Sequence, residues 1–434
     1  MAIVRPFRGL RYDKAVVGSI GSVVAPPYDV IGSEEQARLY EVSPYNVVRL
    51  DLSRDRDRYG AASRTFAEWR EQGVLARDLE PAFYLYAQRH RLRNGEERER
   101  FGFFARLHLE EFASGRVLPH EKTLASPKAD RLALQRACRA NLSSIFGLYS
   151  SPGFSLATVA AQTLRASPWA DFEDGAAVRH RLWRLVEADV QESLRRRLES
   201  RTVYIADGHH RYETALRYRD ERRAETGRRA GAEPFEYVLA FLVNMDEPGL
   251  VVLPTHRLLR ELPIEPADLV ERLRCYFHVE EVARAAGAQG LVERMRPAAG
   301  ERRIGVVLRG ERHFFVLVAR DGENDARLSG STALRRLDVT LLHGLVLEGG
   351  ASILGLDAHR EAEAGRWLYT KDEDEAVSRV ENGEMAAAFL LNATRVDEVR
   401  AVSEAGETMP EKSTYFYPKL ADGLVFDLFA PRWS

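Results

Sequence analysis

The chain has 434 residues, 45% of them hydrophobic and 29% charged, a globular composition that excludes wholesale disorder. At roughly 100–200 residues per domain, this length implies two to four folding units. The formal net charge of −2 excludes a polyanion binder of the bulk electrostatic kind.

Two cysteines, Cys138 and Cys275, cannot build a disulfide framework, so a reducing cytoplasm is the expected compartment. Arginines interrupt the first ten residues, MAIVRPFRGL, and no signal peptide is expected. The longest apolar stretches, near 238–243 and 341–356, fall short of the roughly 18–20 apolar residues of a membrane span.

In chain order, β-branched and aromatic content predicts strands over 47–52 (VVRLDL) and 83–92 (FYLYAQRHRL). Helical spacing of Phe66, Trp69 and Leu75 predicts a helix over 65–76. Residues 100–112 pair with 83–92 as a hairpin turning at Asn94 and Gly95. A helix is expected over 126–138, with Ser126 as N-cap and Pro127 in first position, followed by a buried strand at 145–149. A charged helix over 186–199 precedes an apolar strand at 202–206, a helix over 212–225 and a strand over 235–245. The remainder reads as a helix at 267–275, a hairpin across 303–320 turning at 309–311, helices at 333–347 and 372–381, and a strand at 385–391. This alternation predicts an α/β protein with α+β mixed sheets. No repeat or low-complexity linker marks a boundary.

Lysine usage adds a pointer. The 63 basic residues comprise 57 arginines and six lysines: Lys14, Lys122, Lys128, Lys371, Lys412 and Lys419. Where arginine serves almost everywhere, a surviving lysine marks a place that suits a compact, flexible ammonium. Four of the six fall in two short segments, 122–128 and 412–419.

The strongest local signal is 203–213, VYIADGHHRYE. An apolar strand ends in Asp207 and Gly208, and His209, His210 and Arg211 then open a helix. A helix N-terminus favours an anion, and two imidazoles and a guanidinium make it a phosphate cradle in which Arg211 can hold two oxygens. In the alternative reading Asp207 only N-caps the helix and the histidines are surface residues. A metal reading through Asp207, His209 and His210 is opposed by Arg211 next door.

The second signal, 117–131 (VLPHEKTLASPKADR), carries His120, Glu121, Lys122, Thr123, Lys128, Asp130 and Arg131 between stiffening prolines. A glutamate beside a lysine and a histidine can act as a general base for a hydroxyl proton; an exposed loop before a capped helix is the plainer alternative. The third, 409–420 (MPEKSTYFYPKL), either folds over a pocket with Lys412, Ser413 and Thr414 facing a ligand or packs as an edge strand. In the fourth, 23–31 (VVAPPYDVI), a plain turn is favoured over a rigid placement of Asp29. Residues 406–414 (GETMPEKST) are a near miss to a phosphate loop, because Glu411 occupies the second glycine's place and the aromatic run that follows cannot start the required helix.

The motifs RPFRGLRYD, APPYDVI, SPYNVVRL, LPHEKTL, ADGHHRYETA and MPEKSTYFYPKL together resemble the domain-of-unknown-function family 1015 of bacteria and archaea, over nearly the whole chain. More narrowly, PHE at 119–121 followed by DGHHR at 207–211 is similar to the ParB/sulfiredoxin superfamily, particularly its free-serine kinases. That resemblance implies a ParB/sulfiredoxin-like core. It makes Glu121, beside His120, the base for a hydroxyl. Gly208, His209, His210 and Arg211 would hold nucleotide phosphates, with Asp207 orienting the turn or binding magnesium. The two motifs stand about 85 residues apart, farther than in the compact kinases, which implies an insertion or a different use of the scaffold.

The expected organisation is an N-terminal part with a hairpin (1–112), the core (113–250) and a C-terminal α/β region (251–434), with a further boundary near 330. The expected function is phosphoryl transfer from ATP or ADP, or another nucleotide such as CTP, with magnesium, to a small hydroxyl-bearing metabolite such as an amino acid. Lys122, Lys128, Arg131 and Lys412, with Ser413 and Thr414, would add to the phosphate site. Two other classes stay open: a nucleotide-binding switch of the ParB type, and a phosphohydrolase. Near-neutral charge and the lack of a basic recognition helix count against DNA; a homodimer is left open.

Overall fold

The computed structural model describes residues 2–123, 125–227, 233–298, 300–320, 322–350 and 352–429, the side chains of 125–127 excepted. The chain divides into two compact units. The first comprises Met1–Pro119, Thr123–Val251 and Pro418–Ser434, and the second His120–Lys122 and Val252–Tyr417. Both mix helices and strands, as the alternating sequence pattern predicts.

The first unit is built on a nine-stranded mixed sheet. Its strand order is Val117–Leu118, Val203–Asp207, Ile145–Tyr149, Tyr237–Asn244, Glu97–His108, Phe83–Arg91, Arg179–Leu185 and Ala170–Glu173, with Val4–Arg5 added beside Glu97–His108. Val203–Asp207 runs parallel to Val117–Leu118, and Tyr237–Asn244 parallel to Ile145–Tyr149; the other pairs are antiparallel. Ile145–Tyr149 and Tyr237–Asn244 are buried along their whole length, which is why both read as unbroken apolar runs.

The hairpin shows how residue alternation makes two faces. Phe83, Leu85, Phe103 and Leu107 point to one side, where Leu194 and Leu198 of helix Ala188–Glu199 and Tyr212 and Ala215 of helix His209–Thr226 cover them. On the other side Tyr86, Phe104, Phe146 and Phe241 form an aromatic cluster with ring centroids 5.1–5.5 Å apart. Arg100 lies fully buried against it, 4.8 Å over Phe146, donating to Gln88 and to the Pro418 carbonyl. Burial pulls this guanidinium down to about 10.

The second unit holds a six-stranded antiparallel sheet in the order Phe277–Ala283, His313–Ala319, Arg303–Leu308, Ala387–Leu390, His256–Leu259 and Trp367–Thr370. Helices Gly287–Met295 and Glu373–Glu381 bury Leu291, Met295, Val377 and Val380 against Leu258, Val307 and Val316.

Several elements differ from the sequence expectation for local reasons. The 47–52 segment is a helical turn, Val48–Asp51, because the Asn46 side chain caps the Val48 amide at 3.0 Å and anchors itself on the carbonyls of Ser22 and Val24. The helix expected over 65–76 spans Arg58–Glu71, capped by Asp57, while Leu75–Arg77 pairs with Leu10–Tyr12. The helix expected from Ser126 spans Ala125–Cys138, so Ser126 and Pro127 lie within it; their side chains fall outside the described residues. The helix expected over 333–347 is broken into Thr332–Arg335, Asp338–Leu342 and a π-helical segment His343–Leu347. Leu337, in extended conformation, makes the break. Among the described residues, no helix is long and apolar enough to cross a membrane.

Phe241 touches three other rings of its cluster and is fully buried. Phe241→Ala is expected to lower the unfolding free energy of the first unit by about 3–5 kcal/mol in denaturant melts. A loss below about 1 kcal/mol would mean the cluster collapses around the gap.

Candidate functional site

In the first unit, strand Val203–Asp207 runs into helix His209–Thr226 through one residue. Gly208 sits at φ 87° and ψ 29°, the left-handed region, and a Cβ there would lie 2.9 Å from the Arg211 Nε. Glycine is therefore required both for the turn and for the guanidinium packed against it. The helix opens at His209, as the motif implies, and its N-cap is Gly208 and not Asp207. The amides of His209, His210 and Arg211 form the positive end of an 18-residue helix, with His209 buried and His210 half-buried.

The Arg211 side chain turns inward. Its Nη1 donates to the Ser144 carbonyl, and its Nη2 lies 3.6 Å from Asp207 Oδ1. Burial opposes the charge, but Asp207, Asp422, Asp29 and Tyr28 together outweigh it and hold the guanidinium above its usual range. The two-oxygen grip on an anion expected from sequence thus requires the Ser144 bond to open. Lys419 Nζ donates to Asp207 Oδ2 at 2.7 Å.

The other cations expected in this unit are engaged by protein groups. Arg131 donates to the Asp51 carbonyl at 3.0 Å and to Asp130 Oδ2 at 2.7 Å, with its guanidinium 4.0 Å over the Tyr28 ring. Lys128 donates to Glu213 Oε2 at 2.8 Å and Thr123 Oγ1 at 3.0 Å. A cavity of about 40 Å³ between Asp51, Arg131, Gln135, Asn141 and Arg211 has room for water. Sequence reasoning missed Tyr28, Asp51, Lys419 and Asp422. Only Lys419 carried a signal, as one of six lysines; the segment 23–31, read as a plain turn, supplies Tyr28 and Asp29.

In the second unit, the Met409 amide donates to the His120 carbonyl at 2.8 Å, and the Lys412 amide donates to Glu121 Oε1. The segments carrying His120, Glu121 and Lys122 and those carrying Lys412, Ser413 and Thr414 therefore lie side by side. His120 is buried and its Nε2 shares a 2.9 Å hydrogen bond with Thr414 Oγ1. Ser413 Oγ donates to the Pro410 carbonyl at 2.5 Å. These hydroxyls bond within the turn. Lys412 adopts φ 54°, left-handed without being glycine. No helix follows; Tyr415–Tyr417 is a strand, in keeping with the dismissal of a phosphate loop.

Arg257, fully buried, fixes this turn. It donates to the carbonyls of Glu411 and Lys412 at 3.2 and 3.1 Å, to the Thr255 carbonyl, and through Nε to His343 Nε2 at 3.1 Å. His343 Nδ1 bonds Glu348 Oε2 at 2.6 Å. Burial first, then the Arg257 charge, holds His343 below its usual range despite Glu348. One arginine among many gave no sequence signal.

Among the described residues, no group of three or more histidine, cysteine, aspartate or glutamate side chains is arranged to hold a metal ion. Asp207, the carboxylate expected to bind magnesium, faces two cations: Lys419 Nζ at 2.7 Å from Oδ2 and Arg211 Nη2 at 3.6 Å from Oδ1.

Asp51 and Asp422 are both fully buried, and Asp422 Oδ2 has no hydrogen-bond partner. Burial, and for Asp422 the neighbouring Asp51, push both carboxyls above the usual range. The folded state therefore holds protons that the unfolded chain releases, and stability falls as pH rises from about 4 through the raised values. Asp422→Asn should match the parent near pH 4 and exceed it at about pH 7 in urea melts. A variant less stable at the higher pH would contradict this linkage.

Among solved structures, the chain is similar to a conserved hypothetical protein from Pyrococcus furiosus at 13% identity, covering 74% of this chain and 93% of that one, with a TM-score of 0.35. It is similar to a free serine kinase in complex with AMP at 13% identity, covering 73% and 86%, with a TM-score of 0.36. It is also similar to SbnI with C-terminal truncation from Staphylococcus aureus at 10% identity, covering 71% and 83%, with a TM-score of 0.35. No curated protein matches significantly. The family described as protein of unknown function, DUF1015, matches residues 4–340, and the chain belongs to that family.

Proposed function

We propose that the protein is a nucleotide-dependent phosphotransferase acting on a small hydroxyl-bearing metabolite, with a core of the ParB/sulfiredoxin type. The observation that carries this reading is the strand–Gly208–helix turn, which aims the amides of His209, His210 and Arg211 from the positive end of a long helix beside two histidines and a buried guanidinium. The likeness of PHE and DGHHR to the free-serine kinases supports it.

In this mechanism the terminal phosphates of ATP or ADP rest on the first-turn amides. Arg211, with Lys419 oriented by Asp207, neutralises the charge that spreads over the transferring phosphoryl group. The acceptor oxygen bonds to phosphorus, the bond from phosphorus to the nucleotide's bridging oxygen breaks, and a general base takes the acceptor's proton, the role that the likeness of PHE to the free-serine kinases gives Glu121. The Lys412 amide, by binding Oε1, fixes how the Glu121 carboxylate is presented. Bound magnesium would supply further neutralisation, with Asp207 as its protein ligand.

A thermal-shift panel of ATP, ADP, CTP, GTP and phosphate, each with and without magnesium, tests the cradle. A nucleotide at about 100 times its dissociation constant should stabilise the parent by roughly 2.7 kcal/mol. The shift should vanish in Arg211→Ala and weaken in the milder His210→Ala. Glu121→Gln should keep the nucleotide shift and lose turnover. No shift with any nucleotide removes the reading; a shift with turnover untouched in Glu121→Gln leaves a nucleotide switch. Nucleotide hydrolysis without any acceptor would favour a phosphohydrolase.

A further inference from the structure

The second unit contains a cavity of about 380 Å³ that the chemistry above does not use, within the size of small-molecule sites. Its lining includes Lys122, Arg327, Thr340, His343, Glu348 and Glu411. Charges of both signs face this one space; His343 and Glu348 are bonded to each other, while Lys122, Arg327 and Glu411 are not paired among the described residues. The Lys122 ammonium and the Glu411 carboxylate make no ion pair or side-chain hydrogen bond among the described residues. Arg327 stands 5.1 Å over the Tyr276 ring with no carboxylate partner among them. Thr340 Oγ1 is buried without a hydrogen-bond partner.

The remaining acid here is already satisfied. Glu348 accepts from His343 and, at 3.3 Å, from the Ala358 amide. Glu411 differs: burial raises its carboxyl, Lys412 and His359 lower it, and Glu348 raises it again, with a net upward result. Lys412 and His359 act on Glu411 only through space, without an ion pair, and Lys122 and Arg327 have no carboxylate partner among the described residues. Half-buried Glu411 and the buried Thr340 hydroxyl, with the exposed Lys122 and Arg327 on the same lining, suit an occupant that carries both signs.

We infer that this cavity binds a small zwitterion, with its carboxylate at Lys122 and Arg327 and its ammonium at Glu411. Thr340 supplies a hydrogen bond. As a binding site it stands by itself; as the seat of the phosphoryl acceptor it rests on the phosphotransferase reading. Glu411 immediately precedes Lys412, whose amide holds Glu121, and Arg257 pins both their carbonyls. An occupant at Glu411 therefore also steadies the turn that presents Glu121.

Isothermal titration of the full chain, without nucleotide, with L-homoserine, L-serine, ethanolamine and glycerate tests the inference. Ethanolamine lacks the carboxylate and glycerate the ammonium. At least one zwitterion should bind about tenfold or more tighter than either single-charge compound, a difference of about 1.4 kcal/mol. Glu411→Gln and Arg327→Ala should each weaken it by a similar factor while keeping the parent's melting temperature. No zwitterion binding, equal binding of all four compounds, or affinity unchanged in both variants would overturn the site. A protein that binds zwitterions here but shifts with no nucleotide loses only the phosphotransferase reading. One that passes the nucleotide panel and fails here loses only this site.

Discussion

A guanidinium buried at the start of a helix is costly to leave uncompensated, and much of the first unit is arranged around that constraint. Arg211 enters the interior because Gly208 turns the chain in one residue and leaves room where a Cβ would collide. Its charge is then held first by Asp207 beside it, with Asp29 and Tyr28 from the 3₁₀ turn Tyr28–Val30 and the raised, proton-holding Asp422 of the C-terminal segment around it. That segment is fixed in turn: Asp422 and Ala25 exchange backbone hydrogen bonds of 2.8 and 3.1 Å. Segments that look unrelated along the chain are thus tied to one cation.

The second unit uses a buried arginine differently. Arg257 is surrounded by carbonyl oxygens and a neutral imidazole, with carboxylates only at longer range, and burial lowers it to about 10. Arg211, facing carboxylates, is held above its usual range. One guanidinium organises a set of charges, while the other organises the backbone of a strained turn at Lys412. Both devices keep polar groups in fixed positions before any ligand arrives, as electrostatic catalysis and selective binding require.

The elements with strong local patterning were legible in the sequence. The hairpin of Phe83–Arg91 and Glu97–His108 follows from β-branched and aromatic content and the Asn94–Gly95 turn, and the strand Ile145–Tyr149 and the helix Pro266–Arg274 also match the sequence reading. Val48–Asp51 did not, because a long-range anchor at Asn46 overrides the β-propensity of two valines. The start of helix His209–Thr226 was legible in the Asp207–Gly208 turn, after which His209, His210 and Arg211 open the helix. Around the candidate site, contiguous motifs were readable, and the pairing of PHEK with PEKST was not. Asp51 and Asp422 were invisible for the same reason: each acts through partners that are distant in sequence, and an aspartate on its own carries no sign of burial. Scarcity helped where type did not, since Lys419 stood out among so few lysines while Arg257 was lost among many arginines.

The most direct measurement is a crystal structure with bound ADP and magnesium. The account predicts a terminal phosphate oxygen within about 2.7–3.2 Å of the amides at His209, His210 or Arg211, with the Arg211 guanidinium released from the Ser144 carbonyl towards the phosphate. A nucleotide whose phosphates lie away from those amides, with Arg211 still on Ser144, would contradict it.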